Sequence, residues 1–446
     1  MNQTQLLERG RRLLPWVPAG VLLAVMTGPQ GRVGQPGYSI SQAMHPGHLF
    51  DSIAIALVAG VIVQLWGARP AQFRDTVAQV RSETRRIYAR REIRLGVYAV
   101  LLAFAILLPH MVGAYWQEIL VDKIGIFALL AVGLNVVVGF AGLLDLGYIA
   151  FYAIGAYVVA YFTGALPVQP PFILNDFYAL IFAVAAAMIA GLILGAPTLR
   201  LRGDYLAIVT LGFGEIITIL AVNLDSVTNG SRGAPGITSF SVHVFGINYD
   251  WGLSQVPYYY LLLAFAVIIM VAFAMLENSR VGRAWTAIRE DEVAAQACGI
   301  PPVKYKLMAF AIGASTSGFA GVLYAAKISF INPSSFTVLF SILVLVLVIF
   351  GGMGSLIGPI AGAAAIQWFF AYVQKHDGAP IPGIGVKIPI RPEDIYLYVG
   401  ALLIVMMIFR PQGIIPSKRR AREIGMAEQG IGGADATGAP IGSPVS

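Results

Sequence analysis

The sequence predicts an all-α fold, a polytopic membrane helix bundle of about 10–12 transmembrane segments, because roughly 20 apolar residues cross the hydrocarbon core as one helix. Three observations carry this expectation. Hydrophobic residues make up 57% of the chain and charged ones 12%, and the mean hydropathy is +0.75. Apolar runs of spanning length recur along the whole chain. The charges are gathered into short stretches between those runs. A transmembrane β-barrel is excluded, since its strands would alternate apolar and polar residues over about 10 positions.

In chain order, the spans read at 13–28, 48–67, 96–113, 117–140, 145–163, 177–199, 204–223, 257–276, 307–327, 338–355, 359–375 and 394–410. Pro15 and Pro18 interrupt the first. Arg9, Arg11 and Arg12 ahead of it faintly resemble a signal peptide, but no small-x-small cleavage site follows, so an uncleaved span is expected. The Gly-rich stretches around 140–147 and 351–362 are expected to be broken or re-entrant helices. Three parts follow: an amino-terminal extension (1–95) with two apolar spans and an Arg-rich cytoplasmic connector, a membrane core (96–411) that contains the charged loop 277–306, and a cytoplasmic tail (412–446). The tail from Gly430 to Ser446 is rich in Gly, Ala, Pro and Ser and is expected to be largely disordered.

Charge orients the chain. The net charge of +7 is uneven. Eight arginines from Arg69 to Arg94, the basic residues Arg280, Arg283, Arg289, Lys304 and Lys306, and Arg410, Lys418, Arg419, Arg420 and Arg422 all fall between spans, at the end of the last one or after it. The stretch 224–256 carries only Arg232, and 164–176 and 328–337 carry no Lys or Arg. Positive residues gather on the cytoplasmic side, so twelve spans place both termini and the 277–306 loop inside. The basic residues then report topology and contact with membrane lipid. Nucleic-acid binding is excluded for want of a basic, aromatic-studded soluble domain.

Little in the chain can perform chemistry alone. A single cysteine, Cys298, rules out an intrachain disulfide. The five histidines are scattered, and no metal-ligand spacing occurs. The pattern Gly-x-x-x-x-Gly-Lys-Ser/Thr is absent, so no P-loop binds ATP here. Glu215 stands mid-span in 204–223, where a carboxyl group needs a partner or a wet cavity. A place in a transport path and a hydrogen bond to a neighbouring helix are both open to it. Asp145 and Asp204, near the inner boundary, fit anchoring or capping. Glycines four apart at Gly354, Gly358 and Gly362 allow close helix packing, and the same region could expose backbone to a polar path.

The densest charge lies in Gly282–Pro301, which must face water. It reads as a helix over 283–299, stopped by Gly299 with Pro301 beyond. Arg289, Glu290, Asp291 and Glu292 offer polar contacts, and Val293, Ala294, Ala295 and Ala297 a slim apolar face. With neither a nucleotide site nor a mid-membrane proton relay in view, a soluble partner docked on this helix is the expected source of energy.

Glu292-Val293-Ala294-Ala295, with Gly299 beyond, resembles the "EAA" coupling loop of permease subunits in ATP-binding-cassette importers. The longer run Gly282–Ile300 is similar to the version in branched-chain amino-acid permeases. So are the blocks Gly133–Gly139 with Gly142–Gly147, Leu199–Ile216, Gly351–Ser355 and Phe409–Gly413. The extension before the core resembles the LivM-type subunit rather than the shorter LivH-type one. The resemblance implies a heteromeric inner-membrane importer: a second, LivH-like permease subunit, two ABC ATPase subunits that bind the ATP, and a periplasmic substrate-binding protein. It implies no cofactor and no catalysis in this chain. It assigns ATPase coupling to Arg283, Arg289, Glu290, Asp291, Glu292, Ala294, Ala295 and Gly299. The candidates for the translocation path, read from the Gly-rich breaks and the mid-span acid, are Asn135, Gly139, Gly142, Glu215, Gly351, Gly352 and Gly354. The loop Asn229–Ile237 would face the binding protein or a gate, though Ser231-Arg232 departs from the pattern and an ordinary Gly/Pro turn fits as well. Related systems carry urea or short amides. An ion-coupled carrier would need paired mid-membrane charges, and a membrane-embedded enzyme clustered His, Asp or Glu.

Overall fold

The computed structural model describes residues 91–198, 204–244, 247–375, 395–410 and 412–415. The chain forms two compact units, 1–104 and 105–446. In the first, the described residues are the beginning of helix α1 (Arg91–Met111), whose Val100, Leu101 and Phe104 are exposed. The expected spans 13–28 and 48–67, the Arg-rich connector up to Arg90 and the tail beyond Ile415 lie outside the described residues.

The second unit is helical. After α1 come α2 (Ala114–Phe140), α3 (Tyr148–Phe162), α4 (Asp176–Thr198) and α5 (Asp204–Asn223). Then follow α6 (Gln255–Glu277), α7 (Arg280–Glu290), α8 (Glu292–Ala297) and α9 (Pro302–Ile328). The last are α10 (Val338–Gly351), α11 (Gly358–Lys375) and α12 (Ile395–Phe409). Helices α2, α4, α5, α6 and α9 are each long and apolar enough to cross a membrane, and α3 and α10 are shorter apolar helices. The chain is a multi-pass membrane protein.

Burial sorts these helices. The most apolar stretch of α2 is 83% buried, against 17% for α6 and 28% for α5. Helix α2 is therefore the central post, while α5 and α6 turn apolar faces outward as lipid-facing helices do. Two stretches of α2, Ile119–Gly125 and Val136–Phe140, are π-helical, a widening often found where a helix serves a functional site.

Small residues knit α3, α4 and α9. A side chain at Gly155 would strike the backbone of Gly318, one at Gly318 the methyl of Ala187, and one at Gly191 the methyl of Ala314. Without a hydrophobic drive between helices in lipid, such close approach supplies the attraction through dispersion. Hydrogen bonds lock the seam: the Tyr148 hydroxyl donates to the Gly313 carbonyl at 3.2 Å, and Ser317 Oγ donates to the Tyr148 carbonyl at 3.1 Å.

Strands appear only in connections. Strand β1 (Ala234–Pro235) pairs antiparallel with β4 (Phe330–Ile331), Ala234 opposite Ile331. Strands β2 (Ser241–Val244) and β3 (Ile247–Asp250) form a hairpin, Ser241 opposite Asp250. The loops 224–256 and 328–337 thus meet on one face, at the far end of α9 from α7 and α8. The Asn229–Ile237 loop is a built turn: Asn229 takes φ +65°, and its side chain donates to the Gly233 carbonyl at 2.6 Å.

Both Gly-rich stretches interrupt helices. Helix α2 ends at Phe140 and α3 starts at Tyr148, while α10 ends at Gly351 and α11 starts at Gly358. The expected spans 145–163 and 338–355 are shortened accordingly. Gly352 (φ +119°) and Gly354 (φ +75°) adopt the left-handed region that glycine tolerates. Residues 412–415 do not begin a free tail. The Ile414 and Ile415 amides donate to the carbonyls of Phe350 and Gly351, each at 2.9 Å, and lay the chain along the α10 break.

Candidate functional site

The site is an elbow of two short helices against the bundle. Ser279 starts it: its Oγ accepts from the amides of Val281 (3.1 Å) and Gly282 (3.3 Å), capping α7. The helix expected over 283–299 is instead two helices. Asp291 takes an extended backbone (φ −153°, ψ 111°), and its carboxyl accepts from the amides of Val293 (2.8 Å) and Ala294 (3.0 Å). It therefore ends α7 and caps α8, an alternative that a short acidic side chain offers the backbone inside a helical pattern. Gly299 (φ +81°) closes α8, with the Ile300 amide bonded back to the Ala295 carbonyl at 3.0 Å.

One face of the elbow is anchored. Ala284, Trp285 and Ile288 are buried, a one-turn grouping that marks the inward side of α7. Trp285 is wholly enclosed, and its indole N–H donates to the Tyr305 carbonyl at 2.7 Å. Glu292 pairs with Lys306 of α9 at 2.7 Å, and Ala295 is buried. Arg283 donates to the Asn278 carbonyl at 3.1 Å. The other face is open: Glu290, Asp291, Val293, Ala294, Gln296, Ala297, Cys298 and Gly299 are exposed, with Val293 64% accessible. A charged surface with an apolar patch at its centre can dock a soluble partner.

Arg289 joins this elbow to the transmembrane helices. Its guanidinium donates to the Gly139 carbonyl in the π-helical end of α2. Its aliphatic stem lies over Gly142 (φ +72°), where an added β-carbon would sit 2.7 Å from Arg289 Cγ. One turn deeper, the buried Asn135 accepts from the Gly354 amide at 2.8 Å and donates to the Ser355 carbonyl at 2.9 Å. A side chain at Gly139 would collide with Asn135. A chain of contacts thus runs from α7 through Arg289 and Gly139 to Asn135 and the α10 break.

Of the residues singled out for a path, Asn135, Gly139, Gly142, Gly351, Gly352 and Gly354 come together around the two helix breaks. Glu215 does not join them; it is exposed on α5. Asp145 does not cap α3, as the sequence allowed; its buried carboxyl accepts from the Gly147 amide at 2.9 Å in the turn ahead of that helix. Sequence reasoning missed Ser279, Trp285, Tyr305, Lys306 and Ser355. Trp285 was the visible signal, a large aromatic in an otherwise polar segment. Tyr305 and Ser355 act through backbone carbonyls, which leave no residue-type signature.

The family described as "Branched-chain amino acid transport system / permease component" matches residues 118–409. The chain is similar to the high-affinity branched-chain amino acid transport system permease protein LivM of Salmonella typhimurium strain LT2. The two are 38% identical over 343 residues, 72% of this chain and 74% of that one. The LivM protein of Escherichia coli K12 gives the same identity and coverage. The LivH permease protein of Escherichia coli K12 is 25% identical over 304 residues, 65% of this chain and 91% of that one. No solved structure matches.

Proposed function

The chain belongs to the branched-chain amino acid transport permease family, and on that footing we propose that it is the LivM-type permease subunit of an ATP-driven importer. Its solutes are branched-chain, hydrophobic amino acids. It works in a bacterial inner membrane with both termini and the α7–α8 elbow in the cytoplasm. A LivH-like permease pairs with it, two ABC ATPase subunits bind and hydrolyse the ATP, and a periplasmic binding protein delivers the solute. The chain itself needs no cofactor.

The observation that carries this reading is the elbow. Trp285 and Ile288 root it in the bundle while Glu290, Asp291, Val293, Ala294 and Ala297 face out. An ATPase that closes on nucleotide would push α8. The push would pass along α7 to Arg289, and from Arg289 to the Gly139 carbonyl, Asn135 and the α10 break. Interrupted helices form the solute sites of many transporters, and alternating access rocks the surrounding bundle about such a site. Both breaks meet this chain of contacts, so the elbow and the path would switch together.

The test is affinity capture of the detergent-solubilised complex through a tag on this chain, with mass spectrometry and an ATPase assay. Recovery of two P-loop ATPases, a second permease and nucleotide hydrolysis is expected. A chain that purifies alone and drives uptake from an ion gradient would overturn the proposal.

A further inference from the structure

We infer that the outward stripe of α5 centred on Gly212 and Glu215 is the surface on which the second permease packs. The inference rests on the importer reading only for the identity of that second chain.

The stripe recurs at helical spacing. Tyr205, Ile208, Glu215, Ile216 and Ile219 are all exposed, with Ile208 63% and Ile216 55% accessible, and they share one face of α5 with Gly212. Most of this stripe would suit lipid. Glu215 would not. It stands 11 residues into α5, about 16 Å along the axis at helical rise, and so near the middle of a hydrocarbon core roughly 30 Å thick. Among the described residues it makes no hydrogen bond or ion pair. A carboxyl group at that depth requires a donor or water, and the described residues of this chain offer no donor.

Gly212 points the same way. A glycine inside a helix loosens it relative to alanine. Gly155, Gly191 and Gly318 each offset that cost with close packing inside the chain. At Gly212 an added β-carbon would meet nothing within 4 Å. An open helical glycine alone says little, and Gly400 in α12 is another. Gly212 differs because Glu215 lies one turn away on the same face. A notch beside a carboxyl group is what a second transmembrane helix would use, approaching at the glycine and presenting a donor to Glu215.

The chemistry selects the occupant. Lipid tails carry no donor. A second copy of this chain, related by a two-fold axis along the stripe, would set Glu215 against Glu215, and like charges at one site repel. A different permease chain bearing Lys, Arg, His or an amide opposite Glu215 satisfies both constraints.

The test uses the whole complex with Cys298→Ser in this chain. A benzophenone photo-crosslinking residue is placed at Ile216, and in a control at Ile193, an outward position on α4 that is 69% accessible. The expected result is a covalent adduct with the second permease from Ile216 and none from Ile193. Adducts from Ile216 to a second copy of this chain, to its own amino-terminal residues 1–90, or to lipid alone would overturn the inference. A second variant guards against misfolding. Gly212→Leu has room in this chain, so the protein should accumulate as wild type while capture of the second permease falls at least about ten-fold, the loss of a small part of an interface. Undiminished capture would also overturn it. If the wild-type chain captures no second permease at all, the importer reading fails first. If it does, and only the cross-links go elsewhere, the α5 assignment alone fails.

Discussion

Two glycine-bearing helix surfaces differ sharply in what they touch. In the α3–α4–α9 seam, Gly155, Gly191 and Gly318 sit so close to neighbouring helices that a methyl group would overlap them. On α5, Gly212 opens on empty space beside an exposed carboxyl group. The seam is finished within this chain, whereas the α5 surface meets no partner among the described residues. The same residue type therefore marks intramolecular packing in one place and intermolecular packing in the other. The elbow follows the same division: its Trp285 side is sealed and its Val293 side is open.

The largest expected effect breaks the sealed side. Gly318→Leu should prevent the chain from accumulating as a monodisperse species on size-exclusion chromatography, because overpacking that usually costs about 1–3 kcal/mol here meets neighbouring helices that cannot yield. Equal recovery of Gly318→Leu and Gly212→Leu would erase the distinction between the two surfaces. Next comes Trp285→Ala. Truncating a buried aromatic costs roughly 3–5 kcal/mol, so the elbow should detach, and limited proteolysis should cut near residues 279–301 while the bundle persists. An uncut elbow would show that Trp285 is not its anchor.

Smaller effects sharpen the open side. Gly299→Val places a β-branched residue at φ +81°, a strain of about 1–2 kcal/mol. In proteoliposomes it should separate ATP hydrolysis from uptake, and wild-type coupling would count against the elbow as a lever. Glu292→Lys sets a cation against Lys306. Lys306 is buried and Glu292 about one-third accessible, so the substitution strips a buried ammonium of its partner, which costs about 3–5 kcal/mol for a fully buried pair and less here. The elbow should loosen and coupling fall with it, and an unchanged ratio of uptake to hydrolysis would show that the Glu292–Lys306 anchor is not needed for the lever.

Much of the fold was legible in the sequence because membrane insertion demands long apolar runs, and those runs place the helices within a few residues. The breaks after Phe140 and Gly351 were legible too, since clustered glycines cannot hold a regular helix. The single helix expected over 283–299 was not what formed. Composition there favours helix throughout, but Asp291 caps the second segment with its own side chain, a choice decided by one dihedral rather than by periodicity. The grouping of Asn135, Gly139, Gly142 and Arg289 was also hidden. Its bonds run to backbone carbonyls and amides far apart in sequence, and no pattern of residue types records such contacts. Glu215 was legible as a rare mid-span acid, with a path role and a hydrogen bond to a neighbouring helix both open to it. Its exposure on α5 was not legible, because that depends on which helices pack against it.

The central claim is that the elbow drives the membrane helices through Arg289. The most direct test measures ATP hydrolysis and solute uptake in the same proteoliposomes for Arg289→Gln, with the full complex verified by capture. The account predicts hydrolysis within about two-fold of wild type and uptake reduced at least about ten-fold, the signature of a lost transmitting contact rather than of lost binding. Hydrolysis and uptake that both stay at wild-type values, or that fall together in an intact complex, would contradict it.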